Sequence, residues 1–364
     1  MIDFTADAQQ ALVRDTAERF AQERLAPSER AFEAARGLPA SLLDEANAIG
    51  FDRIDWPEAL GGAQMSALAR AQMLQQLANG CPGAALALQP MGSVAHALLA
   101  FGRNNELEAQ ASRLAALPGA RAWLVFDPHG QLQLQGDRIS GSIAWWPADR
   151  IDLLAILTRD SLLLVTDGLV LEALPGSGLR TAGASALQLT AAPVEAHWHD
   201  PAAASLALAH ARVHLSALMV GQMRAAADYA RQYAMQRVAF GKPIAHHQAL
   251  AFLIADMHSA VETAGLLLHE AAWRLDAGQP ATAAAASAFI EAAESALFIG
   301  SNAVQILGGA GFMRDYPVEK HLRELRALGL LLGGTDAARD DASADMVTGA
   351  ETLPPYLATA SLEH

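Results

Sequence analysis

The sequence predicts an α+β protein: a helical N-terminal domain, a small β-domain in the middle and a C-terminal four-helix bundle. Three observations carry this. Hydrophobic residues make up 52% of the 364-residue chain, largely alanine and leucine, with aromatics at only 6%, a composition that favours helices. Helical spacing of apolar residues dominates except between 119 and 199, where short β-type runs replace it. After residue 200 four long helical patterns follow one another with short links, which is how a bundle reads. The expected boundaries are 1–118, 119–199 and 200–345, with a tail over 346–364.

Cys81 is the sole cysteine, so no disulfide can form within the chain and a cytoplasmic location is expected. The net charge of −14 argues against a nucleic-acid surface. No run reads as an uninterrupted membrane span, and the N-terminus lacks the basic-then-apolar layout of a signal peptide. Neither nucleic acid nor membrane is an expected partner. Leu362-Glu363-His364 reads as the remnant of a purification tag.

In the N-terminal part, Asp7 can cap a first helix whose apolar positions include Leu12, Val13 and Phe20. Ser41 can open a second that stops at Gly50. Trp56-Pro57-Glu58-Ala59-Leu60-Gly61-Gly62 is a breaker-rich loop before a helix from about Ser66 to Ala78. Cys81-Pro82-Gly83 precedes an apolar helix expected from Ala84 to about Leu99. Strand-like runs follow at 123–126, 132–134, 153–157, 162–165 and 187–189.

The bundle begins near Pro201. Its first helix runs to Gln236, its second starts near His246, its third near Thr282 and its fourth after Pro317, a proline being favourable at a helix start. Beyond Gly334 the chain turns polar and is expected to loosen. Arg237 stands at the end of the first bundle helix, with Phe240-Gly241-Lys242-Pro243 turning the chain. A guanidinium beside an aromatic ring at a helix end can fork onto an anionic group while the ring packs on a flat base.

The block from Gln236 to Ile244 (Gln-Arg-Val-Ala-Phe-Gly-Lys-Pro-Ile), with Gln248 following, resembles the signature of the acyl-CoA dehydrogenase family. A second block is similar in order and separation: Gln305-Ile306-Leu307-Gly308-Gly309-Ala310-Gly311-Phe312, then Asp315 to Lys320 and Arg323. The resemblance implies a flavoprotein that uses FAD to dehydrogenate acyl-CoA thioesters, with an electron-transfer flavoprotein as acceptor. It also implies an FAD shared across a subunit contact. One subunit supplies Arg237, Phe240, Gln248, Gln305, Gly308 and Gly309 to the pyrophosphate and adenine. The other surrounds the flavin ring, where Trp145 and Thr335 match family positions.

The departures from the family pattern are concentrated around the ring. Phe126-Asp127-Pro128 stand where a threonine, a glutamate and a proline are usual, and the flavin-touching loop after them is essentially missing. Pro147 replaces a threonine, and proline offers neither N–H nor hydroxyl. The reaction needs a carboxylate base, which in most members precedes a Gly-Thr pair; here that position is Gly333, before Gly334-Thr335. The alternative position, before Arg212, is Ala211. Asp336 is a weak substitute candidate, and His210 and His214 flank the second position, although a surface aspartate and half-exposed histidines would be ordinary.

The leading expectation is therefore a non-catalytic subunit. It would complete the FAD site of a separately encoded, base-bearing partner in an α2β2 assembly. By resemblance such assemblies act on bulky acyl-CoA substrates, as in lipid or steroid catabolism. The alternatives are a homotetrameric FAD-binding dehydrogenase using Asp336, and a flavin-free scaffold or acyl-CoA-binding protein.

Overall fold

The computed structural model describes residues 7–117 and 119–348; the tag remnant and most of the expected tail lie outside them. The N-terminal part comprises α1 (Ala8–Phe20), α2 (Glu29–Ala35), α3 (Ala40–Ile49), α4 (Ala67–Gly80), α5 (Pro82–Ala87), α6 (Gly92–Ala100) and α7 (Asn104–Ala115). Asp7 closes a capping box on α1 with Gln10, as its spacing predicts. Ser66 caps α4, and Gly50 ends α3 in the left-handed region. Ser41 does not open α3; the helix starts one residue earlier, behind Pro39, whose extended backbone sets the entry. The single helix expected from Ala84 is two, because Pro90 and the positive φ of Gly92 turn the chain between α5 and α6.

The middle domain holds β1 (Ala122–Phe126), β2 (Gln133–Gln135), β3 (Arg138–Trp146), β4 (Leu153–Leu157), β5 (Ser161–Val165), β6 (Leu169–Ala173), β7 (Ser185–Pro193) and β8 (Ala196–His199). They form two four-stranded sheets, ordered β1-β4-β5-β8 and β2-β3-β7-β6. β4 and β5 are buried at every position, the burial expected of a strand covered on both faces.

The bundle is α8 (Pro201–Gln236), a two-strand hairpin β9 (Val238–Ala239) and β10 (Lys242–Pro243), α9 (Gln248–Asp276), α10 (Thr282–Leu307), α11 (Val318–Leu328) and α12 (Gly334–Thr348). α8 is its axis and packs on α4, α6, α9, α10 and α11. The closest approach is at Gly221, where a Cβ would lie 2.1 Å from the Gln75 carbonyl oxygen; only glycine lets α8 and α4 meet there. Two expectations need correction. The stretch beyond Gly334 is not loose but helical, as α12. Three helices, α8, α9 and α10, are also long and apolar enough to cross a membrane. In α8 that apolar stretch is 83% buried inside the protein, so most of it serves the core, whereas in α9 only 28% is. α9 accordingly shows Phe252 and Leu266 to the outside.

Candidate cofactor site

Two places gather the residues singled out above. The first is a surface recess at one end of the bundle, about 460 Å³ in volume, lined by Tyr233, Arg237, Gln305, Gly308, Gly309 and Tyr316 among others. Arg237 caps α8, its N–H donating to the Tyr233 carbonyl. Its guanidinium is exposed and has no hydrogen-bond or ion-pair partner among the described residues. Gln305 is exposed in the last turn of α10, and Gly308 ends that helix at φ 59°, ψ −134°, a combination open essentially to glycine alone. A Cβ on Gly308 or Gly309 would meet nothing within 4 Å, so the backbone there lies open to a ligand.

Phe240 sits beside this recess in an unusual state. Instead of the simple corner expected, Phe240 and Gly241 form the two-residue turn of the β9–β10 hairpin, both at positive φ, as in a type I′ turn. Phe240 is 96% exposed and meets the edge of His247, at 6.0 Å between centroids. A phenylalanine held at φ 54° and left almost wholly exposed is a strained residue. Gln248, the first residue of α9, is exposed but does not line the recess.

The second place is interior, between the β-domain and the bundle. Trp123, Trp146, His214, Leu215, Leu331 and Leu332 wall a cavity of about 50 Å³. Trp146, not Trp145, faces it. The register of β3 on β7 slips between Ile143 and Trp146, and such a bulge re-aims the side chains that follow. Trp145 is half-buried against the core instead. Trp123 and Trp146 meet edge to face at 6.1 Å.

The deleted loop has a structural replacement. Asp127, buried, accepts N–H bonds from Gln131 (2.9 Å) and Leu132 (2.8 Å), which closes a short turn directly after β1. At Gly333, φ is +78°, and a Cβ would lie 2.7 Å from the Ala337 Cβ and 3.5 Å from the Pro128 Cγ. A glutamate side chain could therefore not be accommodated at position 333 without displacement. Ala211 is buried inside α8. The Asp336 side chain is 96% exposed, 3.2 Å from Arg339. Thr335 is half-buried in the first turn of α12 and lines neither place.

Behind the cavity lies a polar network of which sequence reasoning found only His210 and His214. Asp55 accepts from His96 Nε2 at 2.6 Å and faces Arg70 at 3.5 Å. Arg70 Nη2 reaches His214 Nδ1 at 2.6 Å, and the rings of His96 and His210 stack at 5.3 Å. Burial alone would raise the Asp55 carboxyl, but His96 and Arg70 outweigh it and hold it well below the usual range. Burial, then the nearby positive groups, pushes His210 down to about 3 and His214 well below its ordinary value. The only advance signal was two histidines one turn apart, flanking Arg212, in a helix of largely apolar residues.

The inner cavity cannot take a flavin ring. Cofactor pockets run to about 300–1,000 Å³, against about 50 Å³ here. The outer recess does suit the dinucleotide's tail, with a free guanidinium for a pyrophosphate, an amide and bare glycine backbone.

Comparison with known proteins supplies the remaining observation. Residues 7–116 match the acyl-CoA dehydrogenase N-terminal domain, and residues 202–346 match the C-terminal domain. The chain belongs to the acyl-CoA dehydrogenase family. Its relatives include benzylmalonyl-CoA dehydrogenase of Aromatoleum aromaticum, 28% identical over 92% of this chain and 96% of that one. Among solved structures, butyryl-CoA dehydrogenase from Megasphaera elsdenii superposes with a TM-score of 0.82 at 22% identity, covering 95% of this chain and all of that one. A glutaryl-CoA dehydrogenase from Mycobacterium smegmatis in complex with FADH2 gives 0.80 at 18% identity, covering 96% and 97%. This is a family of flavoproteins, and its cofactor is FAD.

One expected result follows from the base position. Gly333→Glu will not create a dehydrogenase in this chain, because the side chain would enter at positive φ against Ala337. It should lower stability by about 1–3 kcal/mol, read from the urea midpoint, with no dye reduction on adding butyryl-CoA. Dye reduction at wild-type stability would contradict this account of the loop.

Proposed function

We propose that this acyl-CoA dehydrogenase-family chain is a non-catalytic subunit that completes the FAD site of a base-bearing partner. One observation carries the reading: the recess suited to the dinucleotide tail is open and faces outward, while the interior lacks both a base and room for the ring. FAD, when bound, supplies the hydride acceptor, which no side chain can provide. Arg237 and Gln305 would hold the tail, Gly308 and Gly309 would let it approach the backbone, and Phe240 would cover the flat adenine. The substrate of the assembly is an acyl-CoA thioester, and its reduced flavin passes electrons to an electron-transfer flavoprotein. The fully exposed Asp336 gives the homotetramer reading no base.

The test is flavin absorbance after purification, first of the chain alone and then with a co-expressed family member carrying the glutamate. Flavin only on co-expression is the expected result. Flavin in the chain alone, bleached by an acyl-CoA, would favour the homotetramer, and no flavin in either preparation would favour a scaffold. Within the complex, Arg237→Ala should weaken FAD retention roughly ten- to hundredfold, the cost of a charged hydrogen-bonding pair. Unchanged flavin content after gel filtration would remove Arg237 from the site.

A further inference from the structure

A separate recess of about 650 Å³ lies in the N-terminal domain, between α3, the loop at Gly61-Gly62, the end of α7 and Arg121 just before β1. It shares no residue with the Arg237 recess or the inner cavity, and its volume is that of a small-molecule site, about 300–1,000 Å³. Leu43, Ile54, Met91 and Leu114 give it apolar walls. Ile49 and Leu117, also on its lining, stay exposed.

Its polar side chains are Asp44, Asn47, Asp52, Arg53, Trp56 and Arg121. Arg53 and Asp52 answer each other at 3.3 Å, and the Arg53 guanidinium lies over the Trp56 ring, 5.2 Å from its centroid. Asn47 is an exposed amide, which donates or accepts and favours neither sign of charge. Arg121 is the charge left over. Its guanidinium makes one contact among the described residues, a 3.5 Å approach to the Ala120 carbonyl, at the outer limit of a hydrogen bond. The carboxylate that acts on it, Asp152, is already engaged. Arg150 forks onto both Asp152 oxygens at 2.8 Å, and the Arg121 backbone N–H donates to one of them at 3.0 Å. Burial pushes the Arg121 guanidinium below its ordinary value despite Asp152, so water serves this charge poorly.

That balance selects the occupant. A cation would meet Arg121 and find Asp52 taken by Arg53. An uncharged apolar molecule would cover a guanidinium and leave most of its N–H donors unpaired, which is costly. A carboxylate or phosphate accepts two of those donors side by side, and the apolar walls receive a hydrophobic body behind it. Asp44 is the one opposing charge; it is exposed on α3, where water and salt screen it. We propose that this recess binds a small amphipathic anion, a carboxylate or phosphate carried on an apolar body, with Arg121 as the anchoring cation. Neither FAD nor a partner subunit enters into this site.

The experiment uses the full chain with fluorotryptophan in place of tryptophan, observed by ¹⁹F NMR. Sodium β-naphthoate, β-naphthyl phosphate and uncharged β-naphthamide are titrated in separately at matched ionic strength. The expected result is a saturable shift of the Trp56 signal, assigned through Trp56→Phe, with one or both anions. Naphthamide should bind roughly tenfold more weakly, the worth of a hydrogen bond to a charged group. A preference for naphthoate means a site fitted to a planar carboxylate, and a preference for the phosphate means one fitted to the larger charge; either supports the proposal. Arg121→Gln should weaken anion binding roughly tenfold, Arg121→Lys less, and Arg237→Gln should leave the Trp56 titration unchanged. The ligand-free ¹⁹F spectrum shows whether each variant is folded, and the naphthamide comparison on the parent chain stands whatever the variants do. Three outcomes would overturn the proposal: no saturable Trp56 shift with either anion, naphthamide binding as tightly as the anions, or a titration that Arg121→Gln leaves unchanged in a folded chain.

Discussion

Asp341→Ala should cost about 3–5 kcal/mol of folding stability, as expected when one partner of a buried ion pair is removed. Asp341 lies on α12 and is 7% exposed. It receives Arg212 Nη2 at 2.5 Å from α8 and Arg159 from the turn between β4 and β5. One carboxylate thus pins the last described helix to both the bundle and the β-domain. Arg212 is fully buried, so truncation strands a guanidinium that has no water to turn to. Burial already pushes Arg212 down to about 10, with Arg159 acting in the same direction. The same pins hold the Leu331-Leu332 segment, with Leu332 at φ 54°, against the inner cavity. A double variant, Arg212→Met with Asp341→Leu, should recover most of the loss, since an apolar pair can replace a buried ionic one. Urea midpoints decide the matter. A single variant within 1 kcal/mol of the parent would show that the ion pairs contribute little.

Acid should destabilise the protein early, by about 4 kcal/mol between pH 7.5 and 5.5. His210 and His321 are pushed down to about 3, and His214 well below its ordinary value. The first cause in each case is burial, followed by neighbouring positive groups such as Lys320 beside His321. A histidine with a depressed folded pKa binds its proton in the unfolded chain first. Its contribution is therefore complete above about pH 6.5 and falls as pH drops toward the folded value, by about 1.4 kcal/mol per unit for each ring. Three rings over the unit below 6.5 give the figure quoted. Asp52 and Asp276, raised by burial, work in the opposite direction, but only nearer the carboxylate range. Denaturant midpoints at the two pH values would test this, and equal midpoints would mean that the histidines protonate freely in the folded state.

Much of this was readable beforehand, for physical reasons. Helix ends were legible where a cap is local: Asp7, Ser66 and Gly50 each act within a few residues of themselves. α12 was not, because its polar residues mask a helix whose stability comes from Asp341 meeting arginines far away in the chain. The break between α5 and α6 was hidden by the continuous apolar run on both sides of Pro90. Arg237, Gln305, Gly308 and Gly309, which line one recess, could be singled out together because they lie in two contiguous blocks. Asp55, Arg70, His96 and Trp123 were missed because they come from four separate segments, which no spacing links, although three of them meet within the N-terminal domain.

The sequence alone determined the fold class, the family blocks and the absence of a carboxylate at Gly333 and Ala211, since each is written in residue identity and short-range pattern. Only the tertiary structure decided that Arg237 faces outward with no partner among the described residues. Only it decided that Trp146 displaces Trp145 at the cavity, that the cavity is too small for a flavin ring, and that Arg70 reaches His214. Those outcomes depend on a bulge in one strand, on the volume left between domains and on contacts between distant segments, which a linear pattern does not encode.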